Sequence, residues 1–373
     1  GGGVEDGRKM NTPRKMMKMN NRTQKLGPKD AAAALNGGAD GEKQGRLRKR
    51  ALENAFFWAL NVGSSVSIIM VNKQLMGQNG YNFSFATTLC AMHYFVTTIW
   101  TLVQARFLSG NKAGVSKDTG YRDLVIFTLV ADMSIISLNT SLQVNAVPFY
   151  QIAKLGIIPC TCAVETFWLK KVLTKEMVAA LVVVMFGVSI VTVTELQFNT
   201  SAFGVMVALM STFCSTMQQV LCGYYQKKNS LTGSELLRKV APLQAASIAV
   251  MSPFMDKNVS GRWVSSYEWS LPSASCLVLS CLFAVLVNVS QFLCLGRFSA
   301  VSYQVVGHAK TILVLLIGWF FFGGVLSANQ TLGMVLAVSG MVLYGMAGMR
   351  AKELTAKTSI LPIARNGKGH AAR

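Results

Sequence analysis

The segment FSAVSYQVVGHAKTILVLLIGWFFF (298–322) is long and apolar enough to cross a lipid bilayer. A membrane-spanning helix needs about 20 predominantly apolar residues. Yet His308 and Lys310 stand in the middle of this segment, and a lysine at mid-bilayer depth costs about 2.5–3.5 kcal/mol on insertion scales. The segment therefore predicts a helical membrane protein and, at the same time, a functional role for its lysine.

The composition of the whole chain agrees with an integral membrane protein. Of its 373 residues, 51% are hydrophobic and only 14% are charged. Apolar segments of about 20 residues recur along the chain and predict an all-α fold with ten transmembrane helices. The predicted spans are 55–75, 84–105, 123–143, 149–169, 177–194, 202–225, 237–255, 273–295, 299–321 and 331–349.

The net charge of +20 is concentrated at the two ends of the chain. Basic segments with few aromatic residues are typical of disorder, so 1–50 and 351–373 are predicted to be disordered tails. Between the tails, twelve Lys/Arg fall in loops on one side of the membrane and two in loops on the other. By the positive-inside rule both termini are predicted to be cytosolic. We expect a lipid environment and no nucleic-acid partner, because the folded part lies in the membrane.

The cysteines and acidic residues indicate neither a cofactor nor an enzyme. All eight cysteines lie in apolar segments, where they behave as small hydrophobic residues. No further Cys or His completes a metal site around Cys160-Thr-Cys162, so no metal or cofactor is predicted. A membrane-bound transferase, the rival from another functional class, needs acidic clusters that the isolated acids of the spans do not provide.

An internal repeat relates the two halves of the chain. Tyr150-Gln151 and Tyr303-Gln304 stand in similar segments and are separated by a constant offset of 153 residues. Each half, 51–200 and 201–350, contains five predicted spans, and an odd number places the halves in opposite orientations. This 5+5 inverted repeat is typical of transporters that bind their substrate near the membrane midplane, where the halves meet.

Three lysines lie inside predicted spans, namely Lys73, Lys154 and Lys310. Lys73 is close to a span end, where a long side chain can also reach the interface. The deep acids, Asp132 and Glu165, are too few to neutralise three lysines, although we expect Asp132 to pair with a cation. The surplus positive charge therefore predicts an anionic substrate, with phosphate bound by the lysines.

Other polar side chains in the spans complete the predicted site, although some of them will only join helix to helix. His308 is either a hydrogen-bonding residue beside the site or a proton-coupling group. The predicted substrate-binding residues are Lys73, Asn139, Tyr150, Gln151, Lys154, Asn288, Gln291, Tyr303, Gln304, His308, Lys310 and Thr311. Glycines recur in spans 5 and 10, and they serve either packing within the chain or a homodimer interface.

Several motifs resemble one transporter family. They are WALNVGSSVSIIMVNKQLM (58–76), SFATTL (84–89), FYQIAKLGIIP (149–159), QKKNSLTGSELLRKVAPLQA (226–245) and GRFSAVSYQVVGHAKT (296–311). They look like the nucleotide-sugar branch of the drug/metabolite transporter superfamily, and within it like the plant-type UDP-rhamnose/UDP-galactose transporters. The resemblance runs from about residue 52 to residue 350.

This resemblance implies a Golgi antiporter that exchanges cytosolic UDP-sugar for lumenal UMP by alternating access. Related plastid phosphate-sugar transporters bind phosphate through a Lys in span 4 and a Lys-Arg pair in span 9. Lys154 and Lys310 match the two lysines, whereas Thr311 replaces the Arg, which weakens the plastid alternative. UDP-xylose transport stays open, since sugar epimers differ by single hydrogen bonds.

Overall fold

The computed structural model of the protein describes residues 28–108, 119–145, 147–192, 201–322 and 327–360. By contacts the chain divides into two units, Gly1–Phe56 and Phe57–Arg373. The described part of the first unit, residues 28–56, is helical, and Arg48, Lys49 and Arg50 in it are exposed. The helix thus covers residues 28–50, which the sequence analysis assigned to a disordered tail.

The described residues fold into helices and contain no strand. A short π-helix, Gln104–Leu108, continues α2, and a 3-10 turn, Val264–Ser266, precedes α9. The helices are α1 Pro28–Met76, α2 Ala86–Val103, α3 Tyr121–Val144, α4 Val147–Leu155, α5 Ile157–Phe167, α6 Lys175–Thr192, α7 Ala202–Lys228, α8 Gly233–Ser260, α9 Leu271–Arg297, α10 Ala300–Phe322 and α11 Ala328–Ile360.

Six helices of the described chain are long and apolar enough to cross a membrane, by length and composition. These candidate spans are Arg48–Met76, Ala86–Phe107, Tyr121–Ser141, Ala202–Lys228, Leu271–Arg297 and Ala328–Ala351. They support a multi-pass, all-α membrane protein. The predicted count of ten spans in a 5+5 repeat is not established by them and stays a prediction.

The predicted fourth span, 149–169, is broken into two helices at Gly156. Pro159 explains the break, because a proline has no N–H to donate and its ring clashes with the carbonyl group four residues earlier. At the end of α4, the carbonyl oxygen of Ala153 accepts a hydrogen bond of 3.1 Å from the Gly156 N–H and one of 2.9 Å from Thr212 Oγ1 of α7. The break separates Lys154, in α4, from the residues of α5.

Helices α6 and α11 pack through glycine. A Cβ atom at Gly187 would collide with the backbone of Ala337, and one at Gly340 would lie 2.8 Å from the backbone nitrogen of Val184. Only glycine allows so close an approach of two helix backbones. These glycines therefore serve packing within the chain.

Other contacts bring together α2 with α8, α3 with α7, and α5 with α10. The predicted repeat makes α2 equivalent to α8 and α6 equivalent to α11, so several close pairs join predicted counterparts. The arrangement leaves space in the middle of the second unit, and the candidate site occupies that space.

Candidate substrate-binding site

A cavity of about 350 Å³ lies where α2, α3, α4, α5, α6, α7, α9 and α10 approach one another. Residues of both predicted halves line it. Seven of the predicted site residues are brought together there, namely Lys154, Gln291, Tyr303, Gln304, His308, Lys310 and Thr311.

Lys154 and Lys310 give the cavity its charge. Among the hydrogen bonds and ion pairs of the described residues, none reaches either ammonium group. Each Nζ lies over an aromatic ring of its own helix, at 5.7 Å from the Tyr150 centroid for Lys154 and 5.4 Å from the Tyr303 centroid for Lys310. The two lysines are also close enough to repel each other. The cavity is therefore a site with two positive charges and no fixed counter-ion in the described structure.

The buried acids do not neutralise these lysines. Glu165 accepts a hydrogen bond of 2.6 Å from Lys171 and one of 2.8 Å from the backbone N–H of Ala300. Asp132 is 4% exposed, and the cation partner expected from the sequence is not found among the described residues. The charge surplus that the sequence predicted is thus present in the described cavity.

Other predicted site residues do not line the cavity. The Lys73 side chain is exposed. Asn288 donates a hydrogen bond of 3.0 Å to Thr97 Oγ1, which joins α9 to α2. Asn139 and Tyr150 also lie outside the lining, and the Gln151 side chain is outside the described residues. Their roles in binding stay predictions.

The cavity also contains polar residues that sequence reasoning missed. Ser215, Gln218 and Gln219 line it from α7, and Gln304 Nε2 donates a hydrogen bond of 2.8 Å to Gln219 Oε1. The signal was present in the sequence, because two consecutive glutamines are unusual in an apolar span. They add neutral donors and acceptors suited to hydroxyl groups or a base.

His308 and His93 have different surroundings. His308 lines the cavity, and its Nε2 atom is buried with no hydrogen-bond partner. His93 Nε2 lies 2.8 Å from Ser280 Oγ and is hydrogen-bonded to it, which joins α2 to α9. Only His308 is placed where it can meet a bound substrate.

Contacts between α5, α10 and α1 lie at the end of the cavity that contains Tyr303. Glu165 joins the end of α5 to the start of α10, as described above. The Trp58 ring packs on Phe298 and Tyr303, with centroid distances of 4.8 and 6.1 Å. A second cavity of about 200 Å³, lined by Glu165 and Phe298, shares Gln219 with the first. The loops at this end are those predicted to be cytosolic.

Comparison with known proteins identifies the family. The model of the Triose-phosphate Transporter family matches residues 52–345. The chain belongs to this family. It is a family of transporters, which agrees with the prediction that the protein is not an enzyme.

Several curated relatives are proteins of Arabidopsis thaliana. The chain is 43% identical to UDP-rhamnose/UDP-galactose transporter 2 of Arabidopsis thaliana over 82% of its own length and 85% of the relative. It is 41% identical to UDP-rhamnose/UDP-galactose transporter 1 of the same plant, over 85% of the chain and 90% of the relative. UDP-xylose transporter 2 is more distant, at 37% identity over 77% and 79% of the two chains. The suspected nucleotide-sugar transporter relationship is confirmed.

The fold also has a counterpart among solved structures. A crystal structure of a protein aligns with a TM-score of 0.62 over 80% of this chain and 98% of its own. At 11% sequence identity, this likeness concerns the fold alone.

Proposed function

We propose that the protein is a Golgi antiporter that exchanges cytosolic UDP-galactose or UDP-rhamnose for lumenal UMP by alternating access. The observation that carries the proposal is the cavity lined by two lysines, Lys154 and Lys310, that have no described counter-ion. An uncompensated buried charge costs several kcal/mol, and a phosphate group removes that cost when it binds. The names of the relatives supply the nucleotide sugar, which chemistry alone does not specify.

The lining of the cavity suits both parts of such a substrate. The lysines, from α4 and α10, offer point charges to the phosphates from opposite halves of the predicted repeat. The amides of Gln219, Gln291 and Gln304 offer donors and acceptors to the uridine and sugar hydroxyls. One bound molecule then contacts both halves while they rearrange.

The same charges favour exchange over one-way transport. An empty carrier that changes conformation must place two unpaired ammonium groups in a low-dielectric state. In a loaded carrier the phosphates neutralise these groups, so the same change costs less free energy. Return of the empty carrier is therefore slow. The protein turns over rapidly only when a nucleotide is present on both sides of the membrane.

Counter-flow in proteoliposomes tests the proposal. Vesicles preloaded with UMP are expected to take up UDP-galactose or UDP-rhamnose quickly, and empty vesicles slowly. Equal initial rates in loaded and empty vesicles would contradict the antiport argument. A panel that includes UDP-xylose and inorganic phosphate separates the alternatives. If UDP-xylose is the best substrate, the protein is a UDP-xylose transporter. If phosphate is exchanged and UMP does not compete with it, the protein is a plastid-type carrier.

The membrane topology can be measured separately from transport. Reporters fused to the two termini are expected to be cytosolic, and the sequon Asn258-Val-Ser260, at the end of α8, is expected to face the lumen. Termini on opposite sides of the membrane would require an odd number of spans and would exclude the inverted repeat. Co-localisation with Golgi markers tests the proposed membrane.

A further inference from the structure

Asp132 is a buried acid that the exchange mechanism above does not use. It lies in the middle of α3, and its Oδ1 atom has no hydrogen-bond partner. A carboxylate in an apolar membrane interior is disfavoured unless a cation or several donors compensate it. Acids at such depth are rare, and they mark ion or proton sites in membrane proteins.

The helices packed around Asp132 are α2, α4, α7 and α8. Tyr94 of α2 and Ser247 of α8 lie near the carboxyl group, and Cys90, Cys222 and Gln244 lie in turn near Tyr94. The Ser247 hydroxyl donates a hydrogen bond of 2.8 Å to the backbone oxygen of Leu243. None of these side chains is a cation, and the lysine of α4, Lys154, lines the cavity instead.

Asp132 lies next to the substrate cavity. Its neighbours Ala131, Ser134 and Ile135 on α3 line the cavity, and Tyr94 both lines the cavity and is close enough to sense the charge of Asp132. Electrostatic interactions across such a low-dielectric region are much stronger than in water. Asp132 is thus placed beside the lining of the charged cavity, without being part of that lining.

Two opposing effects act on the carboxyl group. Burial favours the neutral acid, whereas the uncompensated lysines of an empty cavity favour the carboxylate. An anion that binds the lysines neutralises their charge, so burial of the carboxyl group then favours its neutral form. The carboxylate then takes a proton from solvent, and no other bond changes.

We propose that Asp132 is a proton-binding site coupled to the substrate cavity, which takes up a proton when the anionic substrate binds and releases it when the substrate leaves. This inference rests on the proposed function, since it requires an anion in the cavity. Because coupling is reciprocal, protons also tighten substrate binding, so affinity falls as the pH rises. Each loaded carrier then crosses the membrane with its lysines neutralised and Asp132 uncharged.

Calorimetric titration of the purified full-length protein with UDP-galactose tests the proposal. Runs in two buffers of different ionisation enthalpy give the number of protons taken up per nucleotide bound. UDP-galactose is the probe because its diphosphate is a diester and does not itself titrate near neutral pH. Wild type is expected to take up protons, and Asp132→Asn to lose up to one of them, while contributions from His308 and the lysines remain.

The matched control is Asp123→Asn, the same substitution on the same helix. Asp123 is ion-paired with Lys228 at 2.7 Å, away from the cavity lining, so this variant should take up as many protons as wild type. Asp132→Glu keeps a titratable carboxyl group and should restore the uptake. Equal uptake by wild type and Asp132→Asn, or equal losses in both Asn variants, would overturn the proposal.

An infrared measurement on wild type covers the case in which Asp132→Asn does not fold. Addition of UDP-galactose should produce the C=O stretch of a newly protonated carboxyl group in the difference spectrum, a band that lysine and histidine do not contribute. Its absence would overturn the proton site. Binding of nucleotide sugar without proton uptake refutes the proton site alone, whereas a wild type that binds no nucleotide sugar refutes the proposed function.

Discussion

Charged side chains of the central cavity and of the helix ends differ in whether they have a fixed partner. Lys154 and Lys310 have no ion pair or hydrogen bond in the described structure. Asp256, in contrast, accepts hydrogen bonds of 2.9 and 2.7 Å from the backbone N–H groups of Thr87 and Thr88 at the start of α2. Glu165 is bound in the same manner at the start of α10.

A helix N-terminus stabilises a negative charge, because its first N–H groups are unpaired and the helix dipole is positive there. The fold therefore has ways to satisfy buried charge, and it uses them for these acids but not for the lysines of the cavity. The difference indicates that the acids hold helices in place and that the lysines are reserved for a mobile anion.

This comparison predicts that substitution of the cavity lysines causes the largest loss of exchange activity. Lys154→Ala or Lys310→Ala should reduce UMP/UDP-sugar exchange by about 100-fold or more, because loss of one partner of a buried charge pair costs about 2–5 kcal/mol. Arg at either position should also impair exchange, since a planar fork does not reproduce a point charge. Uptake into UMP-loaded vesicles measures the effect.

The control for these variants is Lys257→Ala. Lys257 is exposed and lies over the Trp263 ring, 4.1 Å from its centroid, outside the cavity lining. Its loss should leave exchange near wild type. Thermal melting should show all of the variants folded, and a folded Lys310→Ala protein with normal exchange would exclude the phosphate role.

Asp256 should instead affect stability. Asp256→Ala removes the acceptor of two buried backbone N–H groups, which costs about 2–4 kcal/mol of unfolding free energy. Thermal unfolding in detergent should show a clear drop, while the affinity of the folded fraction for UMP stays unchanged. Asp123→Ala, which removes a more exposed ion pair, should lower stability by less than about 1 kcal/mol. Equal losses in the two variants would contradict the capping argument.

Substitution of Glu165 tests whether the contacts between α5, α10 and α1 at one end of the cavity depend on the charge of this carboxylate. Glu165→Gln weakens the bonds to Lys171 and to the N-terminus of α10, so this end should open more often, by roughly fivefold. Labelling of a Gln219→Cys side chain by a membrane-impermeant maleimide from the predicted cytosolic side reports this opening. Glu176→Gln, at an exposed position on α6, is the matched control. Unchanged labelling would show that apolar packing alone closes this end.

Substitution of Lys73 is expected to have the smallest effect on exchange. Its side chain is exposed and does not line the cavity, so Lys73→Ala should change exchange by less than about threefold. Vesicle uptake of UDP-galactose and of UMP, measured separately, checks this value. A loss as large as that of Lys310→Ala would mean that Lys73 enters the site in another conformation, as the sequence analysis allowed.

The fold class and the charged part of the site could be predicted because lysine, histidine and glutamine stand out in an apolar run. Seven of the predicted residues line one cavity for this reason. Gln218 and Gln219 were missed, since glutamine in a span also serves to join helices. The break at Gly156 could have been found from Pro159, three residues later.

Pairings between distant segments could not be predicted in the same way. Asp256 accepts a hydrogen bond from the backbone N–H of Thr87, 169 residues away in sequence, and no local sequence pattern predicts such a partner. The hydrogen bond between Gln219 and Gln304 is of the same kind. Only the three-dimensional arrangement shows which acids are satisfied and which lysines are not.

The glycine contact between α6 and α11 has a consequence for how the protein is made. α6 is synthesised long before α11, so its glycine surface has no α11 to pack against until that helix has been made. A Cβ atom at Gly187 or Gly340 would keep the two backbones apart, even though each helix could still form. This contact is therefore completed late in synthesis, and a chain truncated before α11 would leave the glycine surface of α6 without its partner.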